Sequence, residues 1–238
     1  MKKKIKNNLS VMILCGGRGE RLKPITNNLP KPLIKVKKKE ILSHIIDHIK
    51  SYNLKDIFIT SGYKHSLIQK FFSKNHKDCN IKIVNSGINS DIIRRVQSVI
   101  KFSKENLLIC YGDTLADINI DKLYKFHVKN KYPVTICSYE MISNFGILQI
   151  DKNNNVKQYN EKPSLNVWFN IGYIVLNRSI YKNIFKFKKF EYLLNSLVKR
   201  SKVKSYKHRG LHITINTVKE LEDAKKLVDR FEKKIQKK

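Results

Sequence analysis

Val11-Met12-Ile13-Leu14-Cys15-Gly16-Gly17-Arg18-Gly19-Glu20-Arg21-Leu22 is the stretch from which the fold can be read. Five apolar residues without polar alternation predict a strand buried on both faces, as inside a parallel sheet. Glycines then fill three of the next four positions. At the carboxyl end of a first strand they let backbone N–H groups approach a phosphate or a base, and a tight structural turn would use them equally well. The run is not G-x-G-x-x-G, because Leu22 stands at the third glycine, and no Gly-Lys-Ser/Thr follows to make a Walker A loop.

Outward from this stretch, strand-like and helix-period runs alternate. A helix is predicted over 41–52, with Ile41, Leu42, Ile45, Ile46 and Ile49 on one face. Strands are predicted at 56–60, 81–84, 106–111 and 133–138, and helices at 66–72, 91–102 and 121–129. This βαβα rhythm implies a sheet covered on both faces. After Tyr139 the pattern changes to a hairpin, 146–150 and 156–159, around the polar turn Asp151-Lys152-Asn153-Asn154-Asn155. A strand at 170–176, a helix at 190–201 and short strands at 203–208 and 212–215 follow. An amphipathic helix over 217–234 puts Val218, Leu221, Ala224, Leu227, Val228 and Phe231 on its buried stripe, and the basic tail 233–238 is expected to fray. The expected class is α/β: a Rossmann-like, mostly parallel mixed sheet with helices on both faces and an inserted small β region. No linker or repeat divides the chain, so one domain is expected.

The chain has 238 residues and a formal net charge of +30, from 49 basic and 19 acidic residues. A hydrophobic fraction of 41% and an aromatic fraction of 10% are ordinary for a protein with a core, which excludes disorder throughout. Only 8 of the basic residues are Arg. Nucleic-acid readers favour Arg for bidentate contacts, so most of this charge reads as a compositional bias toward Lys, Asn and Ile, with a polyanion-binding surface as the alternative. Cys15, Cys79, Cys110 and Cys137 have no metal-ligand spacing, and three of them lie in apolar runs as small buried hydrophobes. The basic start 1–8 is not followed by a long apolar stretch, and no run is long enough to span a bilayer. The expectation is a soluble cytoplasmic protein with no membrane insertion and no specific nucleic-acid partner.

Several residues could carry chemistry. Pro30-Lys31-Pro32 holds a cation between two residues of restricted backbone, so Arg21 and Lys31 could neutralise phosphate in a transition state, or be two surface bases in a basic protein. Asp113, after the strand ending in Tyr111-Gly112, stands where α/β sheets bind ligands and could hold Mg²⁺ beside a triphosphate, or cap a turn. Glu161-Lys162 could meet a sugar hydroxyl and a phosphate, or form a solvated ion pair. Asp117, Asn119 and Asp121 imitate an EF-hand start, but Lys122 and Val128 occupy positions that exclude calcium. His44 and His48, one helical turn apart, lack a third zinc ligand and are read as an exposed face.

Together, Gly16 to Thr26, Pro30-Lys31-Pro32-Leu33, Gly112-Asp113, Phe145-Gly146, Glu161-Lys162-Pro163 and Asn170-Ile171-Gly172 resemble the sugar-1-phosphate nucleotidylyltransferase family, in order, over about residues 9 to 232. Within it, Ser61-Gly62-Tyr63-Lys64, the run Tyr111 to Asp117 and the Phe-Gly-x-Leu-x-Ile run from Phe145 to Ile150 look most like glucose-1-phosphate cytidylyltransferases. Heptose- and mannose-1-phosphate guanylyltransferases share the scaffold. The resemblance implies a single nucleotidyltransferase domain over 1–238, with a nucleotide-binding half at 9–139 and a sugar-binding half at 140–232. It also implies transfer of a nucleotidyl group, CMP favoured, from an NTP to a sugar-1-phosphate, glucose-1-phosphate favoured, for nucleotide-sugar and surface polysaccharide biosynthesis. By the same resemblance Leu14, Cys15, Gly16, Gly17 and Gly19 lie against the nucleotide. Arg21 and Lys31 stabilise the triphosphate and the leaving pyrophosphate. Asp113 binds Mg²⁺, Glu161 and Asn170 face sugar hydroxyls, Lys162 meets the sugar phosphate and Gly146 offers a backbone contact.

The sequence departs from the family pattern at three places. Glu20 stands where Thr is usual, and Ser90-Asp91 where Gly-Gly is usual. Asn216 aligns with a second metal-binding Asp, which removes one negative charge and could slow the reaction roughly a hundred- to a thousand-fold. A non-catalytic relative that binds nucleotide sugars is therefore a second reading, and a nucleic-acid-binding protein, motivated by charge alone, is a third. A homo-oligomer is left open.

Overall fold

The computed structural model describes residues 7–236. Strands β1 (Leu9–Cys15), β4 (Asp56–Ser61), β5 (Asn80–Asn85), β6 (Asn106–Tyr111), β8 (Val134–Ile142), β11 (Ser164–Asn177) and β12 (Val203–His208) form one seven-stranded sheet in the order β12-β8-β11-β6-β1-β4-β5. Strand β11 alone runs against its neighbours β6 and β8. The other neighbouring pairs are parallel. The mostly parallel mixed sheet read from the sequence is thus the observed one.

The opening strand has no exposed face. Val11, Ile13 and Cys15 enter one core and Met12 the other, the period-2 alternation of a pleated strand between two helical layers. One layer holds α1 (Ile41–Lys50), α2 (His65–Lys74), α4 (Ile120–Asn130) and α7 (Val218–Gln236). The other holds α3 (Ile92–Ile100), the short α5 (Tyr181–Ile184) and α6 (Phe190–Lys199). Three small antiparallel pairs complete the fold: β2 (Lys35–Val36) with β3 (Lys39–Glu40), β7 (Thr114–Ala116) with β13 (His212–Thr214), and β9 (Ile147–Ile150) with β10 (Val156–Asn160). The β9–β10 hairpin is the inserted β region, and Asp151 ties its turn through bonds from the N–H groups of Asn153 and Asn155, both 2.9 Å.

Some expectations need correction. His44 and His48 are buried, not an exposed face. Their Nε2 atoms meet the carbonyl oxygens of Val36 and Ile118 at 3.3 and 2.9 Å, because α1 is covered by the β2–β3 ribbon, β7 and α7 as well as by the sheet. Val218 and Leu227 lie outside the buried stripe of α7, which consists of Leu221, Ala224, Val228 and Phe231. The tail expected to fray is helical through Gln236, and its last two residues lie outside the described ones. Strand β11 begins at Ser164, six residues before the predicted start; its first half is largely exposed and its pairing with β8 shifts register between Ser164 and Trp168. Asp91 precedes α3 and caps it, accepting from the Arg94 N–H at 3.1 Å. Among the described residues, no helix is long and apolar enough to cross a membrane.

Candidate active site

The carboxyl ends of β1 and β6 lie side by side, with Leu14 opposite Tyr111. A cleft of about 640 Å³ opens there. The glycine loop forms one wall, residues 88–95 another, and Tyr111-Gly112-Asp113 with Asn216 the floor. A parallel sheet predicts a ligand site at this place, because its loops diverge at the strand ends.

The floor is built by pairing. Strand β13 runs antiparallel to β7, and the N–H of Ile215 donates to the Asp113 carbonyl at 3.2 Å. This draws Asn216 beside Asp113 across about a hundred residues of chain. A capping box then fixes the turn into α7. The Glu220 N–H donates to Thr217 Oγ1 and the Thr217 N–H to Glu220 Oε2, both at 3.2 Å, and Glu220 also accepts from the Asn216 N–H.

Lys31 enters from the opposite wall. Pro30 is extended and Lys31–Leu33 forms a single 3₁₀ turn, so the lysine is pre-set as Pro-Lys-Pro suggested. Its Nζ lies 2.6 Å from Asp113 Oδ2 and 2.9 Å from Asn216 Oδ1. Arg21 donates to the same Asn216 oxygen at 3.1 Å. Arg21 and Lys31 thus converge on one carboxylate and one amide, with Glu20 also lining the cleft and Glu220 behind Asn216. Two converging donor-only cations suit a polyphosphate. The loop between them is held by Thr26, whose Oγ1 donates to the Gly19 carbonyl at 3.0 Å, and by Tyr63, whose hydroxyl donates to the Thr26 carbonyl at 2.8 Å.

The remaining sequence-predicted residues divide. Leu14, Gly16, Gly17 and Gly19 line the cleft, whereas the Cys15 side chain points into the core, where burial pushes its thiol pKa up. Asn170 stands behind the cleft wall, accepting from the Gly172 N–H at 2.9 Å and meeting the Tyr111 phenol. Gly146, Glu161 and Lys162 do not line the cleft. They lie at the β9–β10 hairpin, where Glu161 and Lys162 are exposed and 3.9 Å apart, and Tyr159 donates to Glu161.

Sequence reasoning missed Arg95. It is 5% exposed, lines the cleft beside Gly16, and donates to the carbonyls of Ser61 at 3.0 Å and Gly87 at 3.2 Å. Little in the sequence marks it: Arg95 stands one helical turn before Val99 on α3, and on the far side of the helix from Ile93. Among the described residues, no group of three or more His, Cys, Asp or Glu could hold a metal ion. Asp113 and Asn216 do offer hard oxygen donors side by side.

A family model described as nucleotidyl transferase matches residues 10–214. The chain belongs to the nucleotidyl transferase family. This enzyme family is the one its motifs resembled. Among curated proteins, this nucleotidyltransferase is 27% identical over 244 residues to "Probable glucose-1-phosphate cytidylyltransferase" of Bacillus subtilis (strain 168), covering 92% of this chain and 96% of that one. It is 25% identical over 185 residues to the D-glycero-alpha-D-manno-heptose 1-phosphate guanylyltransferase of Campylobacter jejuni subsp. jejuni serotype O:2, covering 77% and 83%. Among solved structures it superposes on HddC from Yersinia pseudotuberculosis, complexed with GMP-PN, with a TM-score of 0.70 and 21% identity over 92% of this chain and 99% of that one. That last likeness concerns the fold.

Proposed function

We propose that the chain transfers a nucleotidyl group from an NTP, CTP ahead of GTP, to a sugar-1-phosphate, releasing pyrophosphate and a nucleotide sugar. The observation that carries this reading is the Arg21–Lys31–Asp113–Asn216 cluster at one end of the glycine-walled cleft. The similarity to a cytidylyl- and a guanylyltransferase supports those two nucleotides, and glucose-1-phosphate heads the acceptors for the same reason. Residues 9–139 form the nucleotide-binding half of one domain and 140–232 the sugar-binding half.

In this reading the glycine loop, Leu14 to Gly19, lies against base and ribose. A sugar-phosphate oxygen attacks the α-phosphorus in line, a new P–O bond forms, and the bond to the β-phosphate oxygen breaks. The attacking oxygen is already anionic, so no general base is needed. Lys31 and Arg21 stabilise the charge that gathers on the leaving pyrophosphate. Asp113 holds Lys31 in place before substrate arrives. Glu161, Asn170, Lys162 and the backbone of Gly146 receive the sugar phosphate, which requires the exposed hairpin to fold toward the cleft. Asp113 and Asn216 fit Mg²⁺, which accepts one carboxylate with phosphate oxygens and water, and there it would supply charge neutralisation on the phosphates.

Asn216 favours a second reading, a relative that binds nucleotide sugars without turning them over. Pyrophosphate release measured over four NTPs and a panel of sugar-1-phosphates separates the two. Release from at least one pair supports transfer. No release from folded protein overturns it, and a thermal shift with nucleotide sugar under those conditions selects the second reading.

A further inference from the structure

The geometry points to Arg95 as the residue that reads the base, selecting nucleotides whose edge presents two adjacent hydrogen-bond acceptors, cytosine or guanine, over uracil and adenine. This rests on the proposed nucleotide-binding reading of the cleft.

Arg95 is buried and charged, yet it forms no ion pair among the described residues, and its acceptors there are two backbone carbonyls, Ser61 and Gly87. A guanidinium carries five N–H donors and no acceptor, so three donors have no protein acceptor among the described residues. Arg95 lines the open cleft, where a bound ligand can supply acceptors to them. The group lies against the glycine loop: a Cβ on Gly16 would sit 1.6 Å from Nη1 and 2.1 Å from Cζ. The missing side chain at Gly16 is what admits it. Arg21 and Lys31 are tied to Asn216 and Asp113, whereas Arg95 is tied to Ser61 and Gly87 beside the glycine loop, where the proposed reading puts the base.

A donor-only group discriminates by edge chemistry. Cytosine presents O2 beside N3, and guanine O6 beside N7, both acceptor pairs. Uracil sets its N3–H donor beside its carbonyls, and adenine sets its amino group beside N1 and N7, so each opposes a donor to a donor. Paired Arg contacts of this type discriminate between bases by roughly ten- to a hundred-fold.

The test is equilibrium binding of CTP, GTP, UTP and ATP to the full chain and to Arg95→Lys and Arg95→Gln, with thermal melting as a control for folding. CTP or GTP, or both, bind the unmodified chain roughly ten- to a hundred-fold more tightly than UTP and ATP, and in the variants the four affinities converge to within about threefold. A merely structural arginine would instead weaken all four alike. An unchanged preference in a folded variant, or a uniform loss, overturns the assignment. If neither variant folds, the unmodified chain decides, because preference for UTP or ATP, or no preference, overturns it. Base preference without pyrophosphate release would sink the transfer reaction alone, and release without base preference would sink the role of Arg95 alone.

Discussion

The ammonium of Lys31 lies 2.6 Å from Oδ2 of Asp113, on a lysine side chain only 12% exposed. The pair is therefore partly desolvated, and each partner orients the other. Replacing Asp113 by Asn takes from Lys31 the carboxylate it contacts. Turnover is expected to fall by about a hundredfold or more, read as pyrophosphate release, while the melting temperature moves little because the amide is isosteric. A folded Asp113→Asn protein with ordinary turnover would remove Asp113 from the proposed machinery.

Asn216 accepts from both Lys31 and Arg21 through one amide oxygen, so two cations face a neutral group. Asn216→Asp places a charge where two cations already converge. The half-saturating Mg²⁺ concentration for pyrophosphate release is expected to fall by about tenfold, the effect of roughly 1.4 kcal/mol from one added carboxylate. A magnesium titration of both proteins checks this. An unchanged or raised requirement would show that the position does not serve the metal.

How far the site was legible can be judged from these residues. Gly16, Gly17, Gly19, Lys31 and Asp113, which line one cleft, could be singled out because each follows a strand or sits between prolines, both local signals. Strand β1 was legible because burial on both faces gives an unbroken apolar run. Arg95 was hidden, since what matters is the space beside Gly16 and the carbonyls of Ser61 and Gly87, and these meet only in three dimensions. The burial of His44 and His48 failed for a similar reason. A histidine on α1 reads as surface until the β2–β3 ribbon, β7 and α7 cover the helix's outer side. The first half of β11 does alternate Leu165, Val167 and Phe169 with Ser164, Asn166 and Asn170, but the alternation is short, none of these side chains is buried, and the pairing with β8 shifts register between Ser164 and Trp168.

Gly112 separates β6 from β1 at the cleft. Its N–H donates to the Leu14 carbonyl at 3.1 Å, and a Cβ added to it would lie 2.4 Å from that same oxygen. Backbone cannot yield as a side-chain tip does. Gly112→Ala is expected to cost about 1–3 kcal/mol of stability by overpacking and to lower kcat/KM by moving Asp113 away from Lys31. Denaturant melts and steady-state kinetics check it. Wild-type stability with wild-type kinetics would mean that the two strand ends part freely.

His127 sets an acid limit on the fold. It is buried at the far end of the sheet, where its Nδ1 meets Thr135 Oγ1 at 2.8 Å and its Nε2 meets Asn106 Oδ1 at 3.1 Å. Asn106 Oδ1 is an acceptor, also receiving the Asn177 amide at 3.0 Å, so Nε2 donates and Nδ1 accepts from the threonine hydroxyl. Burial lowers the His127 pKa from 6.5 to about 4. The unfolded chain therefore takes up a proton near pH 6.5 while the folded chain resists until about pH 4. The sign follows from linkage: the contribution is fully present above pH 6.5, is lost as pH falls toward 4, and changes no further below that. Across the window it amounts to about 3 kcal/mol. His127→Gln keeps one donor and one acceptor but cannot titrate. The variant is expected to be less stable than the unmodified protein at pH 8 and to close that gap, or reverse it, by pH 4. Unfolding free energies from denaturant melts at intervals between those values check this. Parallel curves for the two proteins would show that His127 does not carry the titration.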